Sequence, residues 1–107
     1  MISIVKRQDH VPTDSDFYIG RPGVLGNMYT HLPHLPTNCI KVDNRQQAVE
    51  AYEAWLSEKV NARDPMILAE LRKIQAMLDK HGYVNLVCWC APKLCHGLVI
   101  AQYLEEK

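Results

Sequence analysis

No sign of charge predominates in this sequence. Its 107 residues carry 12 Lys+Arg and 12 Asp+Glu, a formal net charge of +0. A chain without excess positive charge does not grip nucleic acid through bulk electrostatics, because that affinity grows with the number of phosphates neutralised. A small local anion site remains open to it. Long apolar runs are missing too: no stretch approaches the ~18 residues needed to cross a bilayer. The first residues, MISIVKRQDH, have one short apolar run followed by charge, without the hydrophobic stretch or small-residue cleavage site of a secretory signal. There is no internal repeat and no low-complexity segment. These absences point to a cytoplasmic domain, and the 4 cysteines are then expected to be mostly reduced.

What is present suits that class. The chain is 48% hydrophobic and 22% charged, too apolar for disorder and long enough to bury a core without disulfides. Residues 1–107 read as a single domain. Residues 7–38 hold four of the six prolines, three of the five glycines and three of the five histidines, the mark of a loop-rich region. Residues 44–107 are patterned for helices with one strong strand.

Residues 1–6 are β-branched and predict a strand, and residues 17–20 predict a second. Pro22-Gly23 and Gly26-Asn27 are turn dipeptides, so an ordered loop follows. The prolines of residues 31–36 extend the loop region, and residues 38–42 predict a strand or edge. Asn44 is a helix N-cap, with Ala48, Val49, Tyr52, Trp55, Leu56 and Val60 at helical spacing behind it. Asp64-Pro65 opens a second helix. Its apolar stripe is Ile67, Leu68, Leu71, Ile74, Met77 and Leu78, and Lys80 and Gly82 close it. YVNLVCWC, residues 83–90, reads as a buried strand, and a final helix starts near Cys95. Trp55 and Trp89 are expected in the core. The fold class is α/β: a small sandwich with a short, partly parallel sheet flanked by about three helices.

Two segments carry chemistry. The first is the junction Cys88-Trp89-Cys90-Ala91-Pro92-Lys93-Leu94-Cys95-His96-Gly97, where the chain leaves the carboxyl end of a strand and enters a helix. Ligands gather at that edge of open α/β sheets. The helix start offers unpaired N–H groups and a positive dipole end, which suit an anion and favour a thiolate. Three readings compete there. Cys88, Cys90, Cys95 and His96, with Cys39 as an extra ligand, have the donor types of a zinc site, although their spacing is not the paired Cys-x-x-Cys knuckle. Cys95 is a reactive or catalytic thiol, with His96 beside it; two neighbours on a helix point about 100° apart, which makes His96 a poor base for Cys95. Cys88 and Cys90 are packing residues of a core strand. The second segment is the loop of residues 20–27. Its glycines let backbone approach a ligand, and Arg21 suits a phosphate or carboxylate. It is neither a Walker loop nor a dinucleotide fingerprint. In a parallel sheet the two segments share one edge, with Arg21, Asn27, Cys95 and His96 around one pocket.

YIGRPGVLGN, QQAVEAYEAWL and LVCWCAPKLCHGLVIAQYLEE together resemble the domain-of-unknown-function family 4326, common in phage and bacterial genomes. The resemblance covers nearly the whole chain. It carries over Gly20, Arg21, Pro22, Gly26 and Asn27, then Cys90, Pro92, Cys95, His96 and Gly97. Met28 stands where the family usually has Pro, and Leu98 where it usually has Asp. The resemblance implies a phage or mobile-element origin and no set activity.

The expected function is therefore a pocket for an anionic small molecule, probed by Gly20, Arg21, Gly26, Asn27, Cys90 and Gly97, with Cys95 and His96 at the reacting or recognised group. A nucleotide-like ligand fits best. Two other classes stay open: a phage-encoded protein that binds and modulates a host protein, and a zinc-stabilised nucleic-acid-binding module held by Cys88, Cys90, Cys95 and His96.

Overall fold

The computed structural model describes residues 1–21, 23–31, 39–89 and 95–106. Its centre is strand β5 (Val84–Cys88), whose Val84, Leu86, Val87 and Cys88 are all buried. Leu86, Val87 and Cys88 are buried in succession and so point to opposite faces, the pattern of a strand covered on both faces. β1 (Ile2–Lys6) and β2 (Asp16–Tyr18) flank it, and both run parallel to it. Ile4 on one side and Phe17 on the other pair with Leu86. A separate two-stranded pair joins β3 (Tyr29–Thr30) to β4 (Ile40–Lys41), again in parallel. The sheet expected to be partly parallel is thus parallel at every described pairing.

The helices begin and end where their caps dictate. Asn44 accepts a hydrogen bond from the Gln47 N–H at 2.8 Å and opens α1 (Arg45–Asn61). The Asp64 carboxylate accepts from the N–H groups of Met66 and Ile67 and opens α2 (Pro65–His81), with Pro65 in its first turn. Gly82 ends α2 with φ 77°, a left-handed conformation that glycine adopts without cost, and donates its N–H to the Leu78 carbonyl at 2.8 Å. α3 (Gly97–Glu105) follows β5. Tyr52 and Leu56 of α1, Ile67, Leu71 and Ile74 of α2, Leu86 of β5, and Ile100 and Leu104 of α3 meet in the core cluster. None of the helices is long and apolar enough to cross a membrane, among the described residues.

Two expectations need correction. β5 ends at Cys88, two residues earlier than the pattern of residues 83–90 suggested. As a result Trp89 is not in the core: it lies past the strand end and is 48% exposed. Trp55 does pack against the core, partly buried.

Candidate functional site

Because β1, β5 and β2 run parallel, their carboxyl ends share one edge of the sheet. Arg7 follows β1, Ile19-Gly20-Arg21 follows β2, and Trp89 follows β5. A cavity of about 220 Å³ opens there. Gly20, Arg21 and Asn27 of the loop form one wall; Tyr29, Thr30 and His31 a second; Arg45, Ala48 and Val49 of α1 a third; Cys88, Trp89, Cys95 and His96 the fourth. Arg21 and Arg45 are its fixed cations, and no Asp or Glu lines it among the described residues.

The rim is braced. The Tyr18 hydroxyl donates to the Arg21 carbonyl at 2.9 Å and accepts from the Trp89 indole N–H at 2.8 Å. The Arg7 guanidinium lies 5.5 Å from the centre of the Tyr18 ring and 5.3 Å from that of Trp89, within cation–π range of both. Arg21 donates to the Cys39 sulfur at 3.1 Å. The loop is wound by two turns, Gly23 N–H to the Gly20 carbonyl and Gly26 N–H to the Gly23 carbonyl. Gly26 sits where a Cβ would come 3.0 Å from backbone atoms of Arg21 and Gly20, so a side chain there would push the loop open.

Buried at the cavity floor are Cys95 and His96. His96 Nε2 lies 2.6 Å from the Ile19 carbonyl oxygen, and His96 Nδ1 lies 3.6 Å from Cys95 Sγ. The Gly97 N–H donates to Cys95 Sγ at 3.4 Å. The expected divergence of neighbouring side chains does not apply, because Cys95 precedes α3 and is not part of its helical repeat. Tyr52 packs edge-to-face on the His96 ring at 4.8 Å and donates its hydroxyl to the Leu25 carbonyl at 2.7 Å. Burial pushes the Tyr52 phenol far above its ordinary range, and the nearby Cys95 adds to the effect. Burial also lowers the His96 pKa, reinforced by Arg21 and opposed by the Ile19 carbonyl and Cys88. The imidazole is therefore held toward its neutral form.

Of the residues singled out from sequence, Gly20, Arg21, Asn27, Cys88, Cys95 and His96 meet in this one cavity. Gly26 and Gly97 stand behind it. Gly97 leaves room for Ile19, whose Cδ1 would lie 2.8 Å from an added Cβ, so its small size serves packing of α3 on the sheet. Asn27 is engaged with the chain itself: its amide donates to the Ala48 carbonyl at 3.1 Å and accepts from the Tyr29 N–H at 2.9 Å, tying the loop to α1 and β3. Pro22, Cys90 and Pro92 lie outside the described residues. Among the described residues no three or more His, Cys, Asp or Glu side chains cluster as a metal site, so Cys88, Cys95 and His96 by themselves do not form one. Arg45 and Trp89 were missed as site residues. Arg45 directly follows the Asn44 cap, which marks it as sitting at the start of a helix, but nothing local tells that this helix end faces the sheet's carboxyl edge.

The fold and site define a small parallel α/β protein with a cationic cavity at the carboxyl edge of its sheet. The chain belongs to the family described as domain of unknown function (DUF4326), which matches residues 2–106. No curated protein and no solved structure matches it.

Proposed function

We propose that this protein binds a small anionic molecule of nucleotide-like type in the carboxyl-edge cavity, and that it works in the cytoplasm. One observation carries the reading: Arg21 and Arg45 converge on a cavity with no described carboxylate, in a chain whose net charge is +0. Cations are not in surplus elsewhere, so two of them unopposed in one cavity favour an anion there. The amino end of α1, which carries Arg45, adds the positive end of a helix dipole. The half-exposed Trp89 ring at the rim supports the nucleotide-like part of the reading, since it offers a flat face to a base. The cytoplasmic reading is supported by Cys39, whose thiol is free.

The test is equilibrium binding of the four common nucleoside monophosphates and of inorganic phosphate, followed by tryptophan fluorescence and calorimetry. A nucleoside monophosphate should bind more tightly than phosphate alone. Arg45→Ala should weaken it about 10-fold, the range for losing one charge-assisted hydrogen bond. If nothing binds at millimolar concentration, or if Arg21→Ala and Arg45→Ala leave binding unchanged, the reading fails and a protein partner becomes the better account.

A further inference from the structure

Cys95 and His96 do more than line the cavity. A carbonyl oxygen only accepts, so the 2.6 Å contact between His96 Nε2 and the Ile19 carbonyl fixes the proton on Nε2. In the neutral ring the lone pair is then on Nδ1, and Nδ1 is the atom 3.6 Å from the Cys95 sulfur. The Tyr52 ring packs steeply against the imidazole from the side of α1, with centroids 4.8 Å apart. The Gly97 N–H, 3.4 Å from the same sulfur, is placed to stabilise negative charge on it. A nucleophile, a base within reach of it and an acceptor that orients the base are the three parts nucleophilic catalysis requires.

We propose that Cys95 is a nucleophile that His96 activates, and that it cleaves acyl bonds in an anionic substrate held by the cavity. The charge of the substrate rests on the anion-binding reading above; the thiol chemistry does not. As Cys95 Sγ bonds to the acyl carbon, its proton passes to His96 Nδ1. The bond to the leaving group breaks, and the leaving group departs with the electron pair and the proton from Nδ1. Water then attacks the thioester, giving a proton to Nδ1. The C–S bond breaks, the acid is released, and the sulfur takes back the proton. The net reaction is hydrolysis of the acyl bond, with thiol and imidazole restored. An acyl group is the class named because its thioester is resolved by water with the same imidazole as base.

The test uses two activated esters, the anionic mono-p-nitrophenyl succinate and the neutral p-nitrophenyl acetate, on the full chain. Release of p-nitrophenolate is followed, and the acylated residue is mapped by hydroxylamine-sensitive mass gain. Cys95 should be labelled first, ahead of the half-buried Cys39. The succinate ester should be favoured about 10-fold over the acetate, relative to the ratio shown by cysteine in solution. His96→Gln keeps a donor for the Ile19 carbonyl but offers no base, and should slow labelling about 100-fold, the lower range for general-base catalysis. Fast labelling of Cys95 by both esters without preference supports the nucleophile and contradicts the anion-binding reading. The proposal is overturned if Cys95 in the folded wild-type chain is not labelled, if it is labelled only after treatment with a chelator, or if His96→Gln reacts as fast as wild type.

Discussion

The two edges of the parallel sheet treat charge in opposite ways. At the amino edge, Asp16 starts β2 and its carboxylate is fully answered by the chain. It accepts from the Thr13 N–H at 2.9 Å, the Thr13 hydroxyl at 2.7 Å and the Asn85 amide at 3.1 Å, and pairs with His10 at 3.0 Å. Burial alone would raise its pKa, but the bonds from Thr13, His10 and Asn85 outweigh it and hold the carboxyl well below the usual range. At the carboxyl edge, Arg21 and Arg45 border an open cavity that holds no described carboxylate. The same sheet thus has a closed polar end and an open end bordered by two arginines. Under the proposed reading, the difference separates charge that serves the fold from charge that serves a ligand.

The strongest way to break this comparison is to remove the cations. Arg21→Ala/Arg45→Ala should lower nucleoside monophosphate affinity about 100-fold, while the melting temperature moves little, since neither arginine pairs with a carboxylate among the described residues. Equal losses of binding and stability would mean that the two edges do not differ in kind. Next in size is Gly97→Ala. Its Cβ would collide with Ile19 and crowd Ile4, so a denaturant titration should show a loss of about 1–3 kcal/mol, the range for overpacking.

Asp16→Asn should cost about 1–2 kcal/mol through weakened charge-assisted bonds and should leave ligand affinity within about twofold of wild type. The same residue sets an acid limit. Its folded pKa lies below the ordinary 3.8, so the unfolded chain takes up the proton first, and the stability Asp16 contributes is present above that pH and lost below it. His96 acts in the same direction at higher pH. Its folded pKa lies below 6.5, so stability begins to fall as the pH drops below 6.5, where the unfolded ring charges and the folded one resists. Urea melts from pH 8 to pH 3 should show both phases; Asp16→Asn should flatten the lower one and His96→Gln the upper one. The smallest expected effect lies at the end of α2, where the chain turns into β5. Gly82→Ala meets no neighbour but forces a left-handed Ala, and should cost about 1 kcal/mol with ligand binding untouched.

The helices were legible because their signals are local. Asn44, Asp64-Pro65 and Gly82 each act on backbone groups within a few residues, so the sequence around each is enough to place a helix end. The central strand was legible from its apolar run, and its parallel neighbours follow from strands alternating with helices. The two halves of the site were also visible, since Arg21 among glycines and Cys95-His96 before a helix are unusual neighbourhoods. Their meeting at one edge followed from parallel pairing. What sequence reasoning could not reach was three-dimensional. The carbonyl that orients His96 comes from Ile19, 77 positions away, and it alone decides which ring nitrogen faces the thiol. Arg45 enters the cavity only because α1 lies against β3. Trp89 was misplaced because a strand's end depends on where its partners stop pairing: β1 pairs as far as Cys88 and β2 only as far as Val87.

In the reading proposed above, the carboxyl edge, and not the amino edge, meets an anionic ligand. The most direct measurement is a two-dimensional NMR titration of the isotopically labelled chain with adenosine 5′-monophosphate, with inorganic phosphate as the second titrant. Shifts are expected to concentrate at Gly20, Arg21, Arg45, His96 and the Trp89 indole N–H, with Asp16 and Asn85 unmoved. Shifts spread evenly over the surface, or centred on the amino edge, would contradict it.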